Sequence, residues 1–220
     1  DWSSDVCSSD LVLLSIGNGN FRPASVATDV ALRSTTLLAD LNRDGFTDRI
    51  VLDRSGKILF RAGLSLAGNS FAPPIILNPD RPARDITILR TGSALAIAAA
   101  DTRFDPDLST NQFVFTVSLY GVTFDGTFGR SAAFSTTASP SRLVAADLNG
   151  DGLMNLIAAN SLGNSISIVL RTSIKQFGTP ITVSSGSAPS DIAVSDVNAD
   201  GRPDVLVSNQ GSGDLSVVLN

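Results

Sequence analysis

Apolar and polar side chains alternate along this chain in short runs. Period two is plain in "SISIVL" (165–170) and "DLSVVL" (214–219), and "DRIVLD" (48–53) and "DVLVSN" (204–209) are short runs rich in Val and Ile. Clusters of Gly, Ser and Asn separate the runs, and no segment sustains the 3.6-residue period of a helix. The pattern predicts an all-β chain of short strands joined by tight turns.

The runs recur. "DVNADGRPDVLV" (196–207) has counterparts in "DLNRDGFTDRIVL" from Asp40 and "DLNGDGLMNLIAA" from Asp147, whose starts lie 107 and then 49 residues apart. Phe21, Phe71, Phe128 and Phe177 each follow a turn-like cluster, at spacings of 50, 57 and 49 residues. Two markers therefore give a period near 50, with one copy of the loop missing near residue 90. There "RDITILRTGSALAIAAAD" aligns Asp85-Ile86 with Asp191-Ile192 and puts Arg90 where Asp196 stands, on a shorter loop.

Each unit reads as four short strands; in the last they are "PITVSS", "DIAVSDV", "DVLVSN" and "LSVVLN". Four-stranded repeats of this length predict β-propeller blades, because one small sheet cannot bury both faces without neighbours. The expected blades span about 21–70, 71–127 (degenerate), 128–176 and 177–220, with each Phe packed between blades. Entry and exit at the same phase of the repeat predict a piece of a larger ring.

Composition narrows the chemistry. All 21 acidic residues are Asp, which suits turns and hard-metal loops better than helices. The absence of His removes the Ser-His-Asp triad and most zinc sites. A net charge of −5 without a basic cluster argues against nucleic acid, and no apolar run approaches a membrane span. The lone Cys, Cys7, lies in "DWSSDVCSSDL" (1–11), a string that resembles the translation of a sequencing adapter and is expected to be foreign to the fold. Two further features are expected to be a turn before Phe21 ("GNGN", 17–20) and an inserted surface loop ("DTRFDPDLST", 101–110).

The three acidic loops carry the candidate chemistry. A hard cation takes six to eight oxygens, and alternate residues of a tight loop can supply them. Side chains at positions 1, 3 and 5 are Asp40, Asn42 and Asp44; Asp147, Asn149 and Asp151; and Asp196, Asn198 and Asp200. Position 7 would offer a backbone carbonyl, from Phe46, Leu153 or Arg202, after the bend at Gly45, Gly152 or Gly201. Position 12 is Val51, Ala158 or Val207, so the Glu of a helical calcium hand is missing. The closing residue comes at position 9 instead: Asp48, Asn155 or Asp204. Apolar strand follows, so each loop is expected to join the second and third strands of a blade. Clustered carboxylates without a counterion would repel.

The D-x-N-x-D-G-x-x-D loop before an apolar strand, with a turn-then-Phe marker each period, resembles the FG-GAP repeat of integrin α-subunit propellers and of bacterial VCBS-repeat proteins. The resemblance runs from Leu11 to Asn220. It implies a propeller, typically seven-bladed, with about three structural Ca²⁺ sites at the residues just named. It also implies an extracellular or cell-surface module that recognises a protein or glycan and catalyses nothing. The alternative is the propeller portion of a secreted polysaccharide lyase or hydrolase whose catalytic residues lie outside these 220 residues. Asn155 gives the second site one negative charge fewer, so weaker binding is expected there. The Arg90 repeat should hold no metal; its guanidinium either replaces the cation or is solvated.

Overall fold

Alternation and turn spacing produce short antiparallel strands throughout the part of the chain that the computed structural model describes: residues 13–17, 20–23, 35–65, 70–91, 94–104, 113–122, 128–136, 138–173 and 176–220. The adapter-like string and residues 105–110 of the inserted loop lie outside them. Among the described residues there is no α-helix, only a 3-10 turn at Ser161–Gly163.

The chain divides into two compact units, residues 1–76 and 77–220. The first contains a ribbon of β1 (Leu13–Gly17) and β2 (Asn20–Pro23). It also contains a sheet in the order β3 (Thr35–Ala39), β4 (Asp48–Leu52), β5 (Ile58–Arg61), β6 (Ile75–Ile76). Strand β4 alternates buried and half-buried residues, and Ile50, Leu52, Ile58 and Phe60 form its buried face with β5.

The second unit holds three further sheets. The first is built from β7 (Ala83–Thr91), β8 (Ala94–Phe104), β9 (Phe113–Val122) and β10 (Phe128–Ser135). The next comprises β11 (Pro140–Ala146), β12 (Asn155–Asn160), β13 (Ser165–Val169) and, after a ribbon of β14 (Arg171–Ser173) and β15 (Gln176–Phe177), β16 (Ile181–Ser184). The last has β17 (Pro189–Ser195), β18 (Asp204–Asn209) and β19 (Asp214–Val218).

Neighbouring sheets of this unit pack face to face. Leu89, Ala98, Ala100, Val117 and Leu119 meet Leu143, Leu156 and Ala158. On the other face of the middle sheet, Leu148, Ile157, Ala159 and Ile166 meet Ile192, Val205 and Val207. Strand β12 is buried on both faces over its whole length, which is why "LIAA" is continuously apolar. Phe177 packs on the first of these clusters with Phe134 of the preceding sheet, ring centroids 5.7 Å apart, so this marker lies between blades as expected.

The sheets cut the chain at a different phase from the Phe-to-Phe units 21–70, 71–127, 128–176 and 177–220. Ile181–Ser184 does not begin the last sheet; it pairs with β13 and closes the preceding one. Each acidic loop consequently joins the first and second strands of its sheet, not the second and third. The reason is that β13 presents an open edge, and the chain returning from the β14–β15 ribbon satisfies its backbone groups.

Equivalent residues of the first strands also link the three sheets. Arg142 lies 2.8 Å (Nε) from Asp191 and 3.6 Å (NH1) from Asp85, while Asp85 accepts the Leu143 N–H at 2.7 Å. Burial raises the Asp85 carboxyl above its ordinary range, with the Leu143 N–H and the Arg142 charge opposing it.

Candidate metal centre

The three loops share one hydrogen-bond skeleton. The position-1 carboxylate accepts the N–H of the bend glycine: Asp40 from Gly45 at 3.0 Å, Asp147 from Gly152 at 2.8 Å, Asp196 from Gly201 at 2.8 Å. The position-5 carboxylate accepts the N–H of position 7, in Asp44–Phe46 (2.8 Å), Asp151–Leu153 (2.7 Å) and Asp200–Arg202 (2.9 Å). The position-3 amide donates to the other oxygen of position 5, at 2.8 Å from Asn42, 2.9 Å from Asn149 and 3.0 Å from Asn198. Side chains 1, 3 and 5 are thus held together by the loop's own backbone.

The bend needs two left-handed residues. Gly45, Gly152 and Gly201 have φ of 86°, 81° and 86°, and the residues two before them, Arg43, Gly150 and Ala199, have φ of 61°, 71° and 60°. Only loop 2 has glycine at that earlier place, so Arg43 and Ala199 carry backbone strain that the surrounding hydrogen bonds must hold.

Position 9 is placed differently from positions 1, 3 and 5. Asp48, Asn155 and Asp204 open the second strand of their sheets and are fully buried. Each accepts the N–H of position 2: Leu41 at 2.8 Å, Leu148 at 2.8 Å and Val197 at 3.1 Å. The second carboxylate oxygen accepts the Gly63 N–H for Asp48 and the Asn220 N–H for Asp204, both at 2.9 Å. Asn155 has an amide nitrogen there instead, buried and without a partner. These residues clasp the loop to the sheet. Burial pushes the Asp48 carboxyl up, against the pull of its backbone N–H groups, and the Asp44 charge adds to the rise.

Gly63 is part of the clasp. A Cβ there would lie 2.4 Å from the Thr47 carbonyl oxygen. Gly63→Ala is expected to cost about 2 kcal/mol in urea unfolding. Gly178→Ala, whose Cβ would meet nothing nearer than 3.6 Å, should cost less than about 1 kcal/mol.

The donor set suits a hard cation in kind: carboxylate and amide oxygens, with no His or Cys among them. In loop 1 the Asp40 Oδ1 atom is buried and accepts no hydrogen bond, as an oxygen reserved for a cation would be. Among the described residues no three His, Cys, Asp or Glu side chains gather into a metal-holding group. Each loop therefore offers two carboxylates and an amide, with the third acid or amide turned to the backbone.

The degenerate repeat has no loop of this kind: Thr91 pairs directly with Ala94. Arg90 is exposed. Arg171, 2% exposed at the start of the β14–β15 ribbon, donates from NH1 to the Arg90 carbonyl at 2.7 Å. Its guanidinium also donates to the Ser173 carbonyl at 3.0 Å and lies 5.5 Å from the Phe177 ring centroid. Sequence reasoning missed Arg171, because nothing in a lone Arg points to a carbonyl 81 residues away.

Residues 147–207, which contain loops 2 and 3, match the family model of the FG-GAP-like repeat, and the sheets are β-propeller-like. The fold is similar to that in the crystal structure of BBS1N in complex with ARL6DN, soaked with mercury. The TM-score is 0.55 at 15% identity, over 83% of this chain and 52% of that one. It is also similar to the crystal structure of a functionally unknown protein from Desulfotomaculum acetoxidans DSM 771, with a TM-score of 0.53 at 20% identity, over 94% of this chain and 61% of that one. The chain thus spans about half the length of the first and three-fifths of the second. No curated protein matches the sequence.

Proposed function

We propose that this chain is a calcium-stapled propeller module that works as a non-catalytic recognition surface outside the cell, with a protein or glycan as its ligand. The observation that carries the calcium reading is the loop skeleton repeated three times with the same oxygen donors. A bound Ca²⁺ would supply the charge that offsets two clustered carboxylates per loop. The preference for Ca²⁺ over Mg²⁺ rests on the loops' many protein oxygens, since Mg²⁺ keeps more of its water. Recognition of a protein has support from the BBS1N neighbour, which was solved in complex with ARL6DN.

The test is a thermal melt in EDTA, in millimolar Ca²⁺ and in millimolar Mg²⁺. A site of ~0.1 mM affinity adds about 1.4 kcal/mol at ~1 mM ion. Melting should rise selectively with Ca²⁺, rise less in Asp200→Ala, and rise unchanged in Arg90→Ala. A folded sample that shows no shift would overturn the calcium reading. Asn155→Asp, which restores the carboxylate of the other two loops, is expected to tighten loop 2 by up to about tenfold in a calcium titration.

A further inference from the structure

Asn220 stands two residues beyond β19, where Gly63 follows β5 and Arg171 follows β13. Its two nitrogens reach two loops, and the side-chain nitrogen also donates to the Pro203 carbonyl of loop 3 at 3.3 Å. The backbone N–H donates to Asp204 Oδ1 at 2.9 Å, and Asp204 Oδ2 accepts the Val197 N–H at 3.1 Å within loop 3. The side-chain Nδ2 donates to the Leu148 carbonyl, and the Leu148 N–H is held in turn by Asn155 Oδ1 at 2.8 Å within loop 2. The two position-9 clasps, Asn155 and Asp204, are therefore joined by a run of contacts through two residues, Leu148 and Asn220. Gly63, at the equivalent place behind loop 1, supplies the N–H to Asp48 but has no side chain to reach another loop.

We propose that loops 2 and 3 take up their cations cooperatively, with Asn220 as the link, and that loop 1 binds independently. This rests on the calcium reading of the loops. A cation at loop 3 orders residues 196–204 and so fixes Asp204. A fixed Asp204 fixes Asn220, which holds the Leu148 carbonyl and with it the second residue of loop 2. The first cation thus completes part of the ordering that the second needs, and by linkage the effect is equal in both directions. Since one or two hydrogen bonds carry the coupling, its expected size is about 3- to 10-fold in affinity.

The loops can be read one at a time. The amides of Gly45, Gly152 and Gly201 each donate to the position-1 Asp of their own loop, so their NMR shifts report loops 1, 2 and 3 separately. The full chain is titrated with Ca²⁺ in four forms: unaltered, Asp151→Ala, Asn220→Gly, and the two combined. Asp147→Asn replaces Asp151→Ala should that variant fold poorly. Disabling loop 2 should weaken the Gly201 midpoint about 3- to 10-fold, leave Gly45 unmoved, and have no effect on Gly201 once Asn220 is Gly. Asn220→Gly keeps the backbone N–H to Asp204, so within loop 3 it removes only the long side-chain contact to the Pro203 carbonyl.

A Gly201 midpoint indifferent to loop 2 in the presence of Asn220 overturns the coupling and leaves the calcium reading standing. Coupling that survives Asn220→Gly also overturns the proposal, because the link would then be elsewhere. Three amides that ignore Ca²⁺ in a folded protein remove the calcium reading and the coupling together.

Discussion

Asp48→Ala is expected to destabilise the chain by about 3 kcal/mol in urea unfolding with EDTA present. The side chain is fully buried and accepts three backbone N–H groups, from Leu41 at 2.8 Å, Asn42 at 3.3 Å and Gly63 at 2.9 Å. Alanine removes every acceptor at once and leaves donors buried without partners. The relief of taking a carboxylate out of a buried site offsets part of that loss. Asp48→Asn should cost about 1 kcal/mol, since it keeps one acceptor, as Asn155 does in loop 2. Asp44→Ala, on the exposed side of the same loop, should cost little without divalent ions. The loss should also depend on pH with a definite sign. Burial raises the Asp48 carboxyl, so the folded state binds its proton more tightly than the unfolded state does. Its contribution therefore falls as pH rises from the ordinary carboxylate value through the raised one, and the alanine deficit should widen as pH is lowered toward about 4.

Arg171→Ala should cost about 3 kcal/mol, and the loss should be the same in Ca²⁺ and in EDTA. The guanidinium is buried, which lowers its pKa, yet it holds the Arg90 and Ser173 carbonyls and lies over Phe177. Arg171→Met restores volume beside Phe177 but supplies no N–H, so it should recover less than half of the loss. Full recovery by Met would mean that packing alone explains the residue. The contrast with the acidic loops is one of charge source. The repeat without an acidic loop has a fixed cation at its turn, delivered from the β14–β15 ribbon.

Much of this was readable from the sequence, for reasons that particular residues make clear. Loop geometry is local: the position-1 Asp, the Asn, the position-5 Asp and the bend glycine lie within six residues, so their spacing already implies the turn. Strand identity also follows from alternation, as in "DLSVVL". The phase of the blades does not. "PITVSS" has the same strand pattern whether it opens one sheet or closes another, and only the free edge of β13 decides between them. The left-handed backbone at Arg43 and Ala199 was hidden because neither residue favours it; Gly150 in loop 2 was the one hint. The inward turn of position 9 was hidden as well. A carboxylate that clasps backbone and one that faces a cation have the same letter, and the choice depends on Gly63 and Asn220, far along the chain.

The most direct measurement of the central claim is the number of Ca²⁺ ions bound per chain, by equilibrium dialysis at millimolar ion. The loops predict three, falling by one in each of Asp40→Ala, Asp147→Ala and Asp196→Ala, and unchanged in Arg171→Ala. A folded chain that binds none, or whose binding survives all three substitutions together, would show that the repeated skeleton is a self-sufficient acidic turn and would contradict the account.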